Sequence, residues 1–315
     1  MSDNIVQPAA GSKQPGWKYW LKTARLFTLV ATVSPLLVGT AIAGYERTFH
    51  PLIFLTTFVS CLFLQIGTNY FNEYFDYAYG LDHEGSLGAS TVIFRNEMSA
   101  GQVLGGAIGC FVIAALLGIL LVFLVGPEIL LFGLTGLLIA YFYSARPFKL
   151  ASRGLGDVMV YIAMGLLMTW GAYYVQIQHW SWPAFAASIP VGFLIMAIMN
   201  MNNVRDYQDD LAVNKKTLPV RFGLKFGKRY HATLLMGSYV TTVLFVLVGL
   251  LPITSLIVLV TFPLAFSNVR SVLQATDRKV FMLGIKRTAM LNLQFGVVLT
   301  LGILLAILIS GRISL

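Results

Sequence analysis

The stretch that decides the fold is Asn69-Tyr70-Phe71-Asn72-Glu73-Tyr74-Phe75-Asp76-Tyr77-Ala78-Tyr79-Gly80-Leu81-Asp82, which follows directly on an apolar run long enough to cross a bilayer. At about 100° per residue, Asn69, Asn72, Glu73 and Asp76 share one helical face. Gly80 supplies a helix stop, after which Asp82 turns back toward that face. A second stretch, Asn202-Asn203-Val204-Arg205-Asp206-Tyr207-Gln208-Asp209-Asp210, repeats the chemistry after another apolar run. There Asn202, Asp206 and Asp210 are spaced i, i+4, i+8, with Asp209 beside the stripe.

The rest of the chain is apolar. Of 315 residues, 57% are hydrophobic and 11% charged, and the mean hydropathy is +0.77. That composition excludes a soluble globular chain. Apolar runs recur along the whole length and predict nine spans, at 26–45, 51–72, 101–125, 128–146, 156–177, 182–203, 231–251, 253–272 and 290–310. Backbone polar groups in lipid must pair within their own segment, so the expected fold class is all-α: a polytopic membrane protein of nine transmembrane helices. The alternating ten-residue strands of a barrel are absent from the sequence. Residues 1–25 are expected to be a tail and interfacial segment, and 26–315 one transmembrane domain. The first 25 residues lack an apolar core, so no cleavable signal peptide is expected.

The charges support this arrangement. With the N-terminus inside, only Arg47 and Arg312 of the 22 Lys and Arg fall outside, as the positive-inside rule requires. The acids follow the same side, Glu46 and Glu128 excepted, although the rule does not demand it of them. Both acidic stretches therefore lie on one face, expected to be cytoplasmic in a bacterial-type plasma membrane. The net charge of +9 reads as topology and attraction to anionic lipid, not as a nucleic-acid surface. Cys61 and Cys110 sit in apolar spans and read as core residues. No His has a second His or Cys at ligand spacing, so zinc is not expected. His179 reads as a lone interfacial histidine and Asp157 as a helix cap. The segments 73–100, 204–230 and 273–289 read as the large inner loops. Arg25 either anchors its span at the headgroups or points inward at an anion.

Carboxylates this close repel one another unless cations join them. Hard divalent ions take oxygen ligands, and Mg²⁺ commonly combines one or two carboxylates with substrate phosphates. Asn72 and Asn202 add amide oxygens. Lys215, Lys216, Arg146 and Lys149 suit the remaining phosphate charge. The combination, on one face of a lipid-embedded fold, describes a site for a lipid diphosphate.

The two stretches resemble the paired Asn–Asp motifs of the UbiA-type intramembrane prenyltransferases, and the resemblance extends over essentially the whole chain. It is nearest to the menaquinone branch, the 1,4-dihydroxy-2-naphthoate polyprenyltransferases. The strings that carry it are Asn72 through Asp82, the turn Ser86-Leu87-Gly88, Asn202 through Asp210, and Lys215-Lys216-Thr217-Leu218-Pro219-Val220-Arg221-Phe222-Gly223. Glu73 stands where many relatives have Asp, and Asp82 follows Asp76 by six positions where other branches use four. The resemblance implies helices ringed around a central cavity capped by the inner loops. It implies Mg²⁺ held by Asn72, Asp76, Asp82, Asn202, Asp206 and Asp210, with Asp76 and Asp206 essential. It also implies polyprenyl diphosphate bound by Lys215, Lys216, Arg146, Lys149 and Arg25, and transfer of its prenyl group to an aromatic naphthoate acceptor, giving demethylmenaquinone, diphosphate and CO₂. Another acceptor, such as 4-hydroxybenzoate, remains open. A transporter using intramembrane carboxylates fits less well, because these acids cluster at span ends on one side rather than at the bilayer midplane.

Overall fold

The structure, a computed structural model, describes residues 16–46, 48–82 and 91–309. Among these residues all regular structure is helical. The helices, in chain order, are α1 (Trp17–Ala24), α2 (Val30–Tyr45), α3 (Pro51–Ala78), α4 (Ala100–Val125), α5 (Ile129–Ser144), α6 (Gly156–Val160), α7 (Met168–Ile177), α8 (Trp182–Arg205), α9 (Tyr207–Ala212), α10 (Leu218–Phe222), α11 (Leu224–Leu247), α12 (Phe262–Gln274) and α13 (Arg278–Ile309). A π-helical stretch, Tyr161–Leu167, joins α6 to α7, and a 3₁₀ stretch, Ile253–Thr261, leads into α12.

Among the described residues, seven helical segments are long and apolar enough to cross a membrane; α1 and α2, bent by 50° at their junction, make an eighth if taken as one span. α5 is a shorter apolar helix at the place of the expected fourth span. The expected count of nine thus becomes seven full-length spans, one bent pair and one short helix. Apolar side chains such as Phe123, which is 84% exposed, point outward along these segments. Their natural solvent is lipid, and the chain is an integral multi-pass membrane protein.

Three expected loops are shorter than the sequence suggested. Helix α3 continues through the acidic stretch to Ala78, α11 begins at Leu224, and α13 begins at Arg278. Hydropathy ends a span at the first charges, whereas the backbone stays helical because those charges reach the headgroups or pair with the cap. The expected turn at Ser86-Leu87-Gly88 lies outside the described residues.

Helix starts follow local chemistry. Ser99 and Gln102 form a reciprocal capping box on α4, and Ser181 accepts the amide of Ala184 at the start of α8. α8 is the central post: Leu194, Ala197 and Met201 on it are fully buried. Small residues bring neighbours close to it and to one another. A Cβ on Gly39 would lie 2.0 Å from the Thr169 carbonyl, and one on Gly165 would lie 2.5 Å from the Gly192 Cα. The second contact pins the π-helical stretch against α8.

Candidate active site

α3 ends in a Schellman motif. The amide of Gly80, at φ +65°, donates to the Tyr77 carbonyl (2.9 Å), and the amide of Leu81 donates to that of Asp76 (2.9 Å). This closure returns the chain over its own last turn, so Asp82 comes back beside Asp76. The second motif is built differently. α8 stops at Arg205, yet the amide of Asp206 donates to Asn202 (3.0 Å) and that of Asp210 to Asp206 (2.8 Å). Helical spacing therefore persists across the break, and the i, i+4, i+8 stripe survives. The amide of Lys215 then donates to the Asp210 carbonyl (2.8 Å), which folds Lys215 over the stripe with its Nζ 3.3 Å from Asp210 Oδ1.

The two motifs meet. A cavity of about 240 Å³ has Asn72, Asp76, Asn202, Asp206, Lys215 and Arg25 at its polar end and Leu64, Ile139, Met164, Met168 and Met199 on its apolar walls. A smaller pocket of about 60 Å³ is lined by Asp76, Asp82, Asp206, Asp209, Asp210 and Lys215. Asp76, Asp206 and Lys215 line both, so residues 130 positions apart in sequence form the partition between the chambers.

Their charges are felt mutually. Burial pushes the Asp82 carboxyl up to about 7, reinforced by the charges of Asp76 and Glu73. Burial pushes Asp210 up to about 6 against the pull of Lys215. For Lys215 burial works downward, but Asp210, Asp76 and Asp206 together carry its ammonium above the usual lysine value. Two buried polar atoms are orphaned here: Asp82 Oδ2 and Arg25 Nε. Arg25 sits in the left-handed region, φ 54°, at the break after α1, and its side chain lines the main cavity. Of its two sequence readings, the inward one is the one seen.

The donor set suits Mg²⁺: carboxylates and amide oxygens, one of them already without a partner. Asn202 commits its amide nitrogen to the Ile198 carbonyl (3.1 Å), which leaves its oxygen for the cavity. Asn72 Oδ1 accepts from the Ser144 hydroxyl. Among the described residues, no three His, Cys, Asp or Glu side chains already converge as a ligand sphere. The second motif's acids pair with cations instead: Asp206 with the Nε and Nη2 of Arg205 (2.7 and 2.5 Å), Asp209 with Arg278, and Asp210 with Lys215.

Several predicted residues fall elsewhere. Lys216 is exposed and lines neither chamber; its backbone amide donates to the Ser152 carbonyl (3.0 Å). The chain reverses at this point, so of the adjacent lysines only Lys215 faces in. Arg146 and Lys149 lie over the Tyr79 ring, at 5.7 and 3.2 Å from its centroid, outside the cavity lining. Glu73 is buried and turned away from the chambers; it accepts the amides of Thr91 (3.1 Å) and Ile93 (3.3 Å) and so fastens the inner turn after α3. Asp157 makes no capping bond. His179 is not solitary: its ring meets the Tyr173 hydroxyl (3.2 Å) and Glu46 (3.6 Å). Arg205 and Arg278 were missed. Their only sequence signal is that each lies next to, or within reach of, an acid too crowded to stand alone.

An apolar chamber inside a membrane protein, closed at one end by carboxylates, amides and cations, defines an enzyme or carrier for an amphipathic molecule with an anionic head. The chain belongs to the UbiA prenyltransferase family, whose sequence model matches residues 32–285; it is a prenyltransferase. It is 31% identical over 300 residues to a 1,4-dihydroxy-2-naphthoate octaprenyltransferase of Bacillus subtilis, covering 95% of this chain and 96% of that one. It is 32% identical over 304 residues to the Escherichia coli protein of the same name, covering 91% and 95%. Its fold is similar to a UbiA homolog from Archaeoglobus fulgidus, solved bound to DMAPP and Mg²⁺, with a TM-score of 0.64 at 16% identity over 89% of this chain and 98% of that one.

Proposed function

We infer that this chain transfers a polyprenyl group from its diphosphate to 1,4-dihydroxy-2-naphthoate. The observation that carries the reading is the meeting of both acidic motifs at one end of an apolar chamber. The names of its relatives in Bacillus subtilis and Escherichia coli give the acceptor. The carbon–oxygen bond to diphosphate breaks, a carbon–carbon bond forms at the ring carbon bearing the carboxylate, and that carboxylate leaves as CO₂. The ring then stands at the quinol level, so no oxidant is required, and demethylmenaquinone is its oxidised form.

Asp76, Asp82, Asp206 and Asp210, with Asn72 and Asn202, would hold Mg²⁺. The bound metal supplies Lewis-acid neutralisation of the departing diphosphate. Arg25 and Lys215 face the same space and add fixed positive charge without reorganisation. The Tyr143 ring lines the chamber, and an aromatic ring there can stabilise allylic cation character. Beside the site, the inner segments are tied to one another where Arg221 bonds the Arg153 carbonyl (2.7 Å) and Arg278 bonds Asp209.

The distribution of Lys and Arg supports a cytoplasmic N-terminus and site face. The test is prenyl transfer by purified protein with one polyprenyl diphosphate, with and without Mg²⁺, offering 1,4-dihydroxy-2-naphthoate and 4-hydroxybenzoate separately. Mg²⁺-dependent product on the naphthoate is expected. Product on the benzoate alone would move the chain to another branch, and full turnover in excess chelator would remove the metal from the account.

A further inference from the structure

An ionisable side chain within a membrane span needs a partner or a task. Asp157 lies in the span Gly156–Ile177 and is 1% exposed. Its Oδ1 accepts the amide nitrogen of Asn203 (3.2 Å), while its Oδ2 is buried with no partner. Asn203, itself 6% exposed, lines the main cavity. Because Asp157 Oδ1 accepts from Asn203 Nδ2, the Asn203 amide lies with its nitrogen toward Asp157 and its oxygen left as the acceptor at the cavity wall.

The surroundings suit an aromatic ring. The wall beside Asn203 is the π-helical stretch, whose Ala163 and Met164 line the cavity. π-helical insertions recur at functional sites. Asn202 and Asn203, neighbours on α8, are about 100° apart around the helix. One amide thus serves the acidic stripe while the other serves the wall next to it.

We propose that Asp157 is a positioning residue that holds Asn203 so that the Asn203 amide oxygen accepts a phenolic hydroxyl of the aromatic acceptor. This rests on the hydroxylated aromatic acceptor inferred above. A site built to bond a hydroxyl rejects the analogue lacking its proton, because the wall oxygen then loses its donor. Asp157 also sits in the first turn of α6, where a carboxylate favours the helix dipole whatever the substrate. The two roles separate on substrate discrimination.

The test uses the full chain in lipid nanodiscs with Mg²⁺ and saturating polyprenyl diphosphate. The acceptors are 1,4-dihydroxy-2-naphthoate, its two monomethyl ethers, 4-hydroxybenzoate and 4-methoxybenzoate. The wild type should disfavour one methyl ether by about 10-fold or more in kcat/KM. Asp157→Ala and Asn203→Ala should each raise the acceptor KM by about 10-fold or more, erase that discrimination, and leave the KM for polyprenyl diphosphate within about twofold. The double variant should be no worse than the worse single, since the two act as a unit. Retained discrimination in either variant, an equal loss toward both substrates, or loss of folded protein from both variants would overturn the proposal. If the wild type uses only 4-hydroxybenzoate, the naphthoate reading falls, and the same comparison on 4-methoxybenzoate decides the role of Asn203. If it uses none of these acceptors, both readings fall.

Discussion

Asp76 and Asp206 face the same chambers but stand in different company. Asp206 is forked by Arg205, which is 4% exposed, whereas Asp76 shares the small pocket with Asp82, Asp206, Asp209, Asp210 and Lys215. Loss of either carboxylate should lower prenyl transfer by about 10²–10³, the cost of one transition-state contact of about 3–4 kcal/mol. The stabilities should diverge. Asp76→Asn relieves repulsion and should leave the metal-free melting temperature unchanged or slightly raised. Asp206→Asn strips a buried guanidinium of its partner and should lower stability by about 1–3 kcal/mol. Thermal melting in chelator, set beside transfer assays in Mg²⁺, checks both halves. Two lysines give a second contrast at this scale. Lys215→Ala should raise the KM for polyprenyl diphosphate, and Lys216→Ala should not, because only Lys215 reaches the chambers.

The cap elements carry the pH dependence and the clamp. Asp82, in the turn after α3, and Asp210, in α9, have carboxyls pushed up to about 7 and about 6, above the value of about 4 in an unfolded chain. The folded protein therefore binds more protons than the unfolded one between these values, and stability falls as pH rises through that window. Metal-free protein should melt higher at pH 5 than at pH 8, and Mg²⁺ should narrow the gap by neutralising the same carboxylates. A melting temperature that rises with pH in chelator would contradict the placement of these acids. Arg278 opens α13 and reaches back to Asp209 and, at 3.9 Å, to Asp206. Arg278→Ala should increase hydrogen exchange in α9 while leaving the spans protected. At this scale the sequence was most legible where chemistry is local. The i, i+4 pairs Asn72–Asp76 and Asn202–Asp206 and the Gly80 stop depend on neighbours within a few residues and are found as read, whereas Glu73, read onto the face of Asp76, turns instead to the amides of Thr91 and Ile93. The inward turn of Lys215 rather than Lys216 depends on a bond to Ser152, 64 positions away, and the burial of Asp157 depends on α8. No local pattern encodes either.

The whole molecule joins what the sequence separates. Hydropathy places the spans but shortens them, because charged turns of α3, α11 and α13 remain helical beyond the apolar run. The distribution of Lys and Arg predicts termini on opposite faces of the membrane. Cysteines placed at Asn4 and Ser314 should be labelled from opposite sides, and labelling from one side would remove a span from the topology. The central claim is that the motifs ending α3 and α8 form one site and act as a unit. Its most direct test is the double-variant cycle on Asp76 and Asp206, read as prenyl-transfer rate in saturating Mg²⁺. If the carboxylates serve one site, Asp76→Asn and Asp206→Asn each cost about 10²–10³, and the double variant falls little further than the worse single. Losses that multiply to about 10⁴–10⁶, or a single variant that keeps more than about a tenth of the rate, would show that the two motifs do not form one unit.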